Sequence, residues 1–214
     1  IPSSAFSGCT EFTNVTIGNS VTRINENAFK GCTGLASITI PDSVTFIRDS
    51  AFDNTLWYNN QPDGLVYAGK VAYKYKGTMP RNTSIVLEEG TLGIADRAFD
   101  DCRDLTSVTI PGSVTLIGGF AFARCTELTS VTIPDSVTSI GGSAFAGCER
   151  LTSVTIGNSV TSISSFAFQG CSNLTSITFN GTKAQWNAIT KGPDWNYATG
   201  NYTIHCTDGD ISKS

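Results

Sequence analysis

The sequence predicts an α/β repeat solenoid with one short parallel strand per 23-residue rung, one hairpin-type irregular rung and a C-terminal cap. Three observations carry that prediction. "LTSVTIPDSVTSIGGSAFAGCER", Leu128 to Arg150, stands between "LTSVTIPGSVTLIGGFAFARCTE" and "LTSVTIGNSVTSISSFAFQGCSN", so nearly the same 23 residues occur three times running. An Ala-Phe pair marks the period at Phe6, Phe29, Phe52, Phe99, Phe122, Phe145 and Phe168, with steps of 23 residues except the 47 from Phe52 to Phe99. Within each unit "SVTIP" alternates apolar and hydroxylated residues with a period of two, the mark of a half-buried strand.

The elements of a unit follow in order. Val108 and Ile110 face inward and Ser107 and Thr109 outward. Pro111, or a Gly in its place, ends the strand, and "DS" or "GN" turns the chain. A second extended piece follows around "SVTSI", and "SAFAGC" has the length of one helical or 3₁₀ turn. The apolar positions are Leu105, Val108, Ile110, Val114, Ile117, Ala121, Phe122 and Cys125. One unit cannot bury that face alone, whereas units stacked at ~4.8 Å bury it against copies of themselves, in columns of identical residues. The period falls in the range of leucine-rich repeats, which makes the expected shape a curved leucine-rich solenoid.

Two stretches depart from the pattern. "YNNQPDGLVYAGKVAYKYKGTMPR", Tyr58 to Arg81, has no Ala-Phe and no Cys, and reads as two strands around Ala68-Gly69-Lys70. "NTSIVLEEGTLGIADRAFDDC" then resumes the register with Ile85 and Leu87 inward. From Gly181 to Gly209, Thr182 is placed to cap a short helix bearing Trp186 and Ile189, and "NYTIHC" to supply a last strand. The open end of a solenoid needs a cover, and Trp186 and Trp195 are sized for one. The expected organisation is a solenoid over residues 1–179, with the irregular rung at 58–81, and a cap and tail over 180–214. "IPSSAF" at the start matches "IGGFAF" inside the repeat, so the chain is expected to be a piece of a longer protein.

Composition narrows function. Charged residues make up 15% and the formal net charge is −4, with no basic run, so no nucleic-acid partner is expected. Lys70, Lys74 and Lys76 read as a solvated hairpin face. No apolar run approaches the ~20 residues that cross a bilayer. Six of the seven cysteines (Cys9, Cys32, Cys102, Cys125, Cys148 and Cys171) hold one repeat position, where stacked side chains point in parallel; free thiols acting as small buried hydrophobes are expected. There is no C-x-x-C pair and His205 is the only histidine, which leaves neither a Cys-His metal set nor a catalytic triad. Glu88-Glu89 and Asp100-Asp101 are sequence neighbours, unlike a glycosidase pair. A cofactor-free, non-enzymatic chain is expected.

What remains is surface. The outward strand positions form a hydroxyl ladder, Thr39, Thr109, Thr132, Thr155 and Thr178 with the serines two residues before each. The ladder barely varies, which suits repetitive contact with a repetitive partner or no partner at all. Aromatic residues cluster instead around the irregular rung, at Trp57, Tyr58, Tyr67, Tyr73 and Tyr75, and in the cap at Trp195, Tyr197 and Tyr202. These are the candidate hot spots.

"LTSVTIPDSVTSIGGSAFAGC" closely resembles the BspA-like leucine-rich repeat, a 23-residue variant with the signature A-F-x-x-C-x-x-L, and the resemblance covers nearly the whole chain. It implies a secreted or surface-displayed protein of a host-associated bacterium. It also implies a non-catalytic adhesion or protein-binding module, with a host extracellular-matrix protein or a glycan as partner. A monomer is expected. The alternatives are a spacer holding other domains away from the cell surface and an accessory carbohydrate-binding region of a larger enzyme.

Overall fold

The computed structural model describes residues 1–213 and is a β-solenoid of about eight turns; Ser214, the last residue of the expected tail, lies outside the described residues. The first rungs contribute β1 (Asn14–Thr16), β2 (Arg23–Ile24), β3 (Ser37–Thr39) and β4 (Phe46–Ile47). The irregular stretch is α1 (Leu56–Asn59), β5 (Gly64–Ala68) and β6 (Val71–Lys76). Regular rungs resume with β7 (Thr83–Val86), β8 (Gly93–Ile94), β9 (Leu105–Thr109), β10 (Leu116–Ile117), β11 (Ser130–Ile133), β12 (Ser139–Ile140), β13 (Ser153–Ile156), β14 (Ser162–Ile163) and β15 (Ser176–Phe179). Last come α2 (Lys183–Ala188), β16 (Thr190–Lys191), β17 (Thr203–Cys206) and β18 (Gly209–Ser212).

A regular rung thus carries two strands where one was expected, the second being the extended piece after the "DS" or "GN" turn. Long strands pair in parallel and in register, with Val131, Val154, Ile177 and Ile204 in one row. Short strands form their own parallel ladder, β8–β10–β12–β14–β16, with the β6–β5 hairpin at its other edge. Parallel pairing continues beyond residue 179: β16 joins β14 and β17 joins β15, while β18 folds back antiparallel on β17. Thr182 caps α2, accepting from the Gln185 N–H while the Gln185 side chain accepts from the Thr182 N–H. Ile189 lies just past the helix in extended conformation rather than on it.

The "SAFAGC" segment is not helical. It is a run of turns with two residues in the left-handed region per rung, for example Phe120 (φ 55°) and Arg124 (φ 59°), or Ser143 (φ 55°) and Gly147 (φ 72°). That geometry points amides along the stack. The Phe120, Phe122 and Arg124 N–H groups donate to the carbonyls of Gly142, Ala144 and Ala146 one rung on, at 2.9, 2.7 and 2.7 Å. The amides between them close turns within the rung, Ala123 to the Phe120 carbonyl at 3.1 Å and Cys125 to that of Phe122 at 3.3 Å, so bonds within and between rungs alternate.

Inside, identity makes columns. The rings of Phe99, Phe122, Phe145 and Phe168 stack 5.1 to 5.2 Å apart and within 5° to 6° of parallel. Three Cys thiols in this stretch are directed at the Phe carbonyl of the preceding rung: Cys125 at Phe99, Cys148 at Phe122 and Cys171 at Phe145, at 3.1 to 3.2 Å. Cys is therefore more than a small hydrophobe here, since a methyl group in its place would lose that donor. Burial pushes the thiols up, to about 12 for Cys102 and Cys171.

At the irregular rung Tyr73 replaces the missing Ala-Phe. Its ring meets Phe52 edge-on at 5.4 Å, and its hydroxyl accepts the Phe52 N–H at 3.1 Å. In regular rungs that N–H donates to the next Ala carbonyl, as from Phe29 to Ala51 at 2.8 Å. At the far end Trp195 closes the column edge-on to Phe168, and its carbonyl accepts the Phe168 N–H at 2.7 Å.

Candidate functional site

The hydroxyl ladder is real as a row. Thr132, Thr155, Thr178 and His205 are register partners across β11, β13, β15 and β17, as Thr16 and Thr39 are across β1 and β3. Thr155 is half-buried and Thr39, Thr109, Thr132 and Thr178 are exposed. Val86, 72% exposed, stands opposite Thr109 and breaks the row. Flanking hydroxyls belong to the scaffold: those of Thr106, Thr152 and Thr175 donate to carbonyls of the preceding rung.

The hairpin aromatics do not converge on one patch. Tyr73 is buried, 1% exposed, and belongs to the core. Trp57 packs edge-on to Phe52 at 5.1 Å. Tyr58 meets Tyr73 at 5.8 Å and carries the Lys74 and Lys76 ammonium groups over its ring at 5.9 and 5.7 Å. Burial, with the Asp53 charge, pushes the Tyr58 hydroxyl up to about 12. Tyr67 lies apart, its hydroxyl accepting the Glu88 N–H at 2.9 Å. Tyr75 is half-buried against the core. Of the five, Tyr58 with its two lysines comes nearest to a presented surface. In the cap, Trp195 and Tyr202 pack on each other and Tyr197 is exposed.

The structure brings together a different set of residues on the short-strand ladder. The position before the buried Ile of the short strands varies along the stack: Arg23 pairs with Phe46 in one ladder, and in the other Gly93, Leu116, Ser139 and Ser162 follow in register, with Thr190 before Lys191 at the far end. A groove of about 530 Å³ opens across this row, bounded by Arg23, Phe46, Arg48, Asp96, Leu116 and Phe120. Its position follows from the irregular rung. β6 pairs with β8 through Val71 and Ala72 alone, and the β4 rung lies against the β8 rung, with the Asp96 N–H donating to the Ile47 carbonyl at 3.2 Å. Gly93 permits the approach, since a Cβ there would lie 2.2 Å from the Thr45 carbonyl oxygen. Gly118 keeps the floor bare, because a Cβ would lie 2.5 Å from the Asp96 nitrogen.

Charge in the groove is uneven. The Arg23 and Arg48 guanidiniums lie 5.8 and 5.6 Å from the Phe46 ring, which they cover, and both arginines are exposed. Among the described residues neither is within 4.0 Å of a carboxylate, whereas Arg97, Arg103, Arg124 and Arg150 all are. Arg97 stacks on Phe120 at 4.3 Å while bound to Asp49 at 3.2 Å and Asp100 at 2.6 Å. Burial raises the Asp96 carboxyl above its usual range, opposed by the Gly119 N–H at 2.6 Å and by the Arg48 charge. In the sequence this row is the residue before Ile in "RI", "FI", "GI", "LI" and "SI". A two-residue strand has no alternation to show which way that residue points, so the signal was present but undirected.

Comparison with known proteins agrees with this architecture. The family model described as BspA type leucine rich repeat region matches in six copies, over residues 1–79 and 91–190. No curated protein matches. A leucine rich cell surface protein from Faecalibacterium prausnitzii A2-165 is similar at 24% identity and a TM-score of 0.50, over 87% of this chain and 65% of that one. The chain thus spans less than two thirds of that protein's length. The pneumococcal vaccine antigen PcpA (18% identity, TM-score 0.48, 95% of this chain and 68% of that one) is also similar. So is a leucine-rich repeat protein from Eubacterium ventriosum ATCC 27560 (20%, 0.48, 89% and 68%). The stacked Ala-Phe turns, the thiol column and six matched repeats over most of the length make this chain a member of the BspA-type leucine-rich repeat family.

Proposed function

We propose that the chain is a non-catalytic, extracellular protein-binding module of a bacterial surface or secreted protein, of the kind that supports adhesion to host matrix. One observation carries this reading beyond the family: the row before the buried position of the short strands varies over Arg23, Phe46, Gly93 and Leu116 before settling to serine at Ser139 and Ser162, and one groove gathers Arg23, Phe46 and Leu116 from it with Arg48 and Phe120 from the turns that follow. A surface addressed residue by residue serves recognition and gives nothing to a spacer. Two further surfaces stay as proposals: the ladder of Thr39, Thr109, Thr132, Thr155 and Thr178, and Tyr58 with Lys74 and Lys76. The described residues include no helix long and apolar enough to cross a membrane.

The ladder supports a second reading. Its rungs are interchangeable, as in a structural spacer, which needs solubility and stacking and no specific partner. The two readings part on binding to an array of immobilised matrix proteins and glycans, measured with the chain up to about 1 mM, where even −4 kcal/mol contacts register. Saturable binding to at least one matrix protein is expected. No binding to any component would leave the spacer as the better account, and binding to glycans alone would favour the accessory carbohydrate-binding region.

A further inference from the structure

The groove has a chemistry that narrows its occupant. Arg23 and Arg48 are exposed, lie within cation–π range of the Phe46 ring and, among the described residues, have no carboxylate within 4.0 Å. A guanidinium near an aromatic ring and unpaired still presents its planar donor fork, an arrangement suited to a carboxylate. Beside the arginines the wall is apolar, with Leu116 half-buried and Phe120 38% exposed, and the floor is glycine backbone. The volume of about 530 Å³ holds a few residues of extended chain and no folded element.

We propose that this groove binds a short acidic peptide segment of a protein partner, its carboxylates on Arg23 and Arg48 and a neighbouring apolar side chain against Leu116 and Phe120. The proposal rests on the reading of the chain as a protein-binding module and names the partner's chemistry. A polyanionic glycan fits less well. Such a polymer is held by a train of cations, and this face offers two, with Asp96 in the groove and Arg97 already neutralised by Asp49 and Asp100. A net charge of −4 also disfavours a long polyanion over the molecule as a whole more than it does a short segment.

The test uses the full chain and two probes, acetyl-Gly-Glu-Leu-Glu-Gly-amide and the same peptide with Gln for Glu, followed by amide NMR titration to about 5 mM peptide. The acidic peptide should shift Gly118, Gly119 and Phe120 saturably. It should bind at least about tenfold more tightly than the Gln peptide, and raised salt should weaken it. The Arg23→Gln, Arg48→Gln double variant should keep its amide spectrum elsewhere and lose that preference. The single variant Arg81→Gln, an arginine outside the groove, should keep it. Equal binding of the two peptides, shifts confined to other faces, or no saturable shift would each overturn the proposal. So would heparin displacing the acidic peptide from these amides while binding more tightly and at the same two arginines. If matrix proteins bind the chain and the acidic probe does not, the groove assignment fails and the protein-binding reading stands.

Discussion

A single side chain in this molecule is felt through the copies stacked above and below it. Phe122 touches Phe99 on one side and Phe145 on the other, at 5.1 and 5.2 Å, and is fully buried. Phe122→Ala opens a void that identical neighbours in fixed register cannot fill, and should cost ~3–5 kcal/mol. Urea unfolding followed by circular dichroism measures it, and an unchanged midpoint with a cooperative transition would refute the stacked column. Gly93→Ala is the opposite case, since its new Cβ must push aside the Thr45 carbonyl oxygen 2.2 Å away. Overpacking of this kind costs about 1–3 kcal/mol. The same substitution should also displace the amide resonances of Phe46 and Arg48, because the groove is shaped by that approach. These residue effects were unequally legible. Phe122 declares its column because its neighbours are copies of itself. Gly93 looks like any turn glycine until β4 is seen against β8.

Among the elements, the irregular rung and the thiol column show how the repeat absorbs an exception. Tyr73→Phe keeps the ring against Phe52 and removes the hydroxyl that accepts the Phe52 N–H at 3.1 Å. A buried donor left without a partner costs about 1–3 kcal/mol, so the variant should unfold at a correspondingly lower urea concentration although it adds no cavity. The sequence showed that a hairpin fills the gap between Phe52 and Phe99. It could not show that a tyrosine hydroxyl reaching in from β6 stands in for an alanine carbonyl, because that match lies in space and not in spacing. The buried thiols from Cys102 to Cys171 are shifted in one direction. Burial holds Cys102 and Cys171 up to about 12 and Cys148 and Tyr73 well above their ordinary values. An unfolded chain releases these protons from about pH 8.5 to 10 and the folded one does not, so stability is complete below that range and falls as pH rises toward 12. The slope is up to about 1.4 kcal/mol per pH unit for each group. Thermal unfolding at pH 8, 9, 10 and 11 should show a Tm that declines progressively; a flat profile would mean that the thiols are not buried as described.

For the whole molecule, the repeat explains the scaffold and the exceptions locate the interest. Long strands present a nearly uniform hydroxyl row, while short strands, too short to declare a face in sequence, place Arg23 and Leu116 at a groove with the buried Phe46 beneath it and Phe120 from the following turn at its edge. The solenoid, its period and its Phe column could be read from identity alone, because identical neighbours impose identical packing. The groove could not, because it exists only where the hairpin turns aside and rungs far apart in sequence meet. The most direct test takes the matrix protein bound most tightly by the full chain and compares two variants against it. One is the Arg23→Gln, Arg48→Gln double variant, and the other, Thr132→Gln with Thr155→Gln, crowds the hydroxyl ladder without adding apolar surface. Binding reduced at least about tenfold by the first and kept by the second is the predicted result; binding kept by the first and abolished by the second would contradict it.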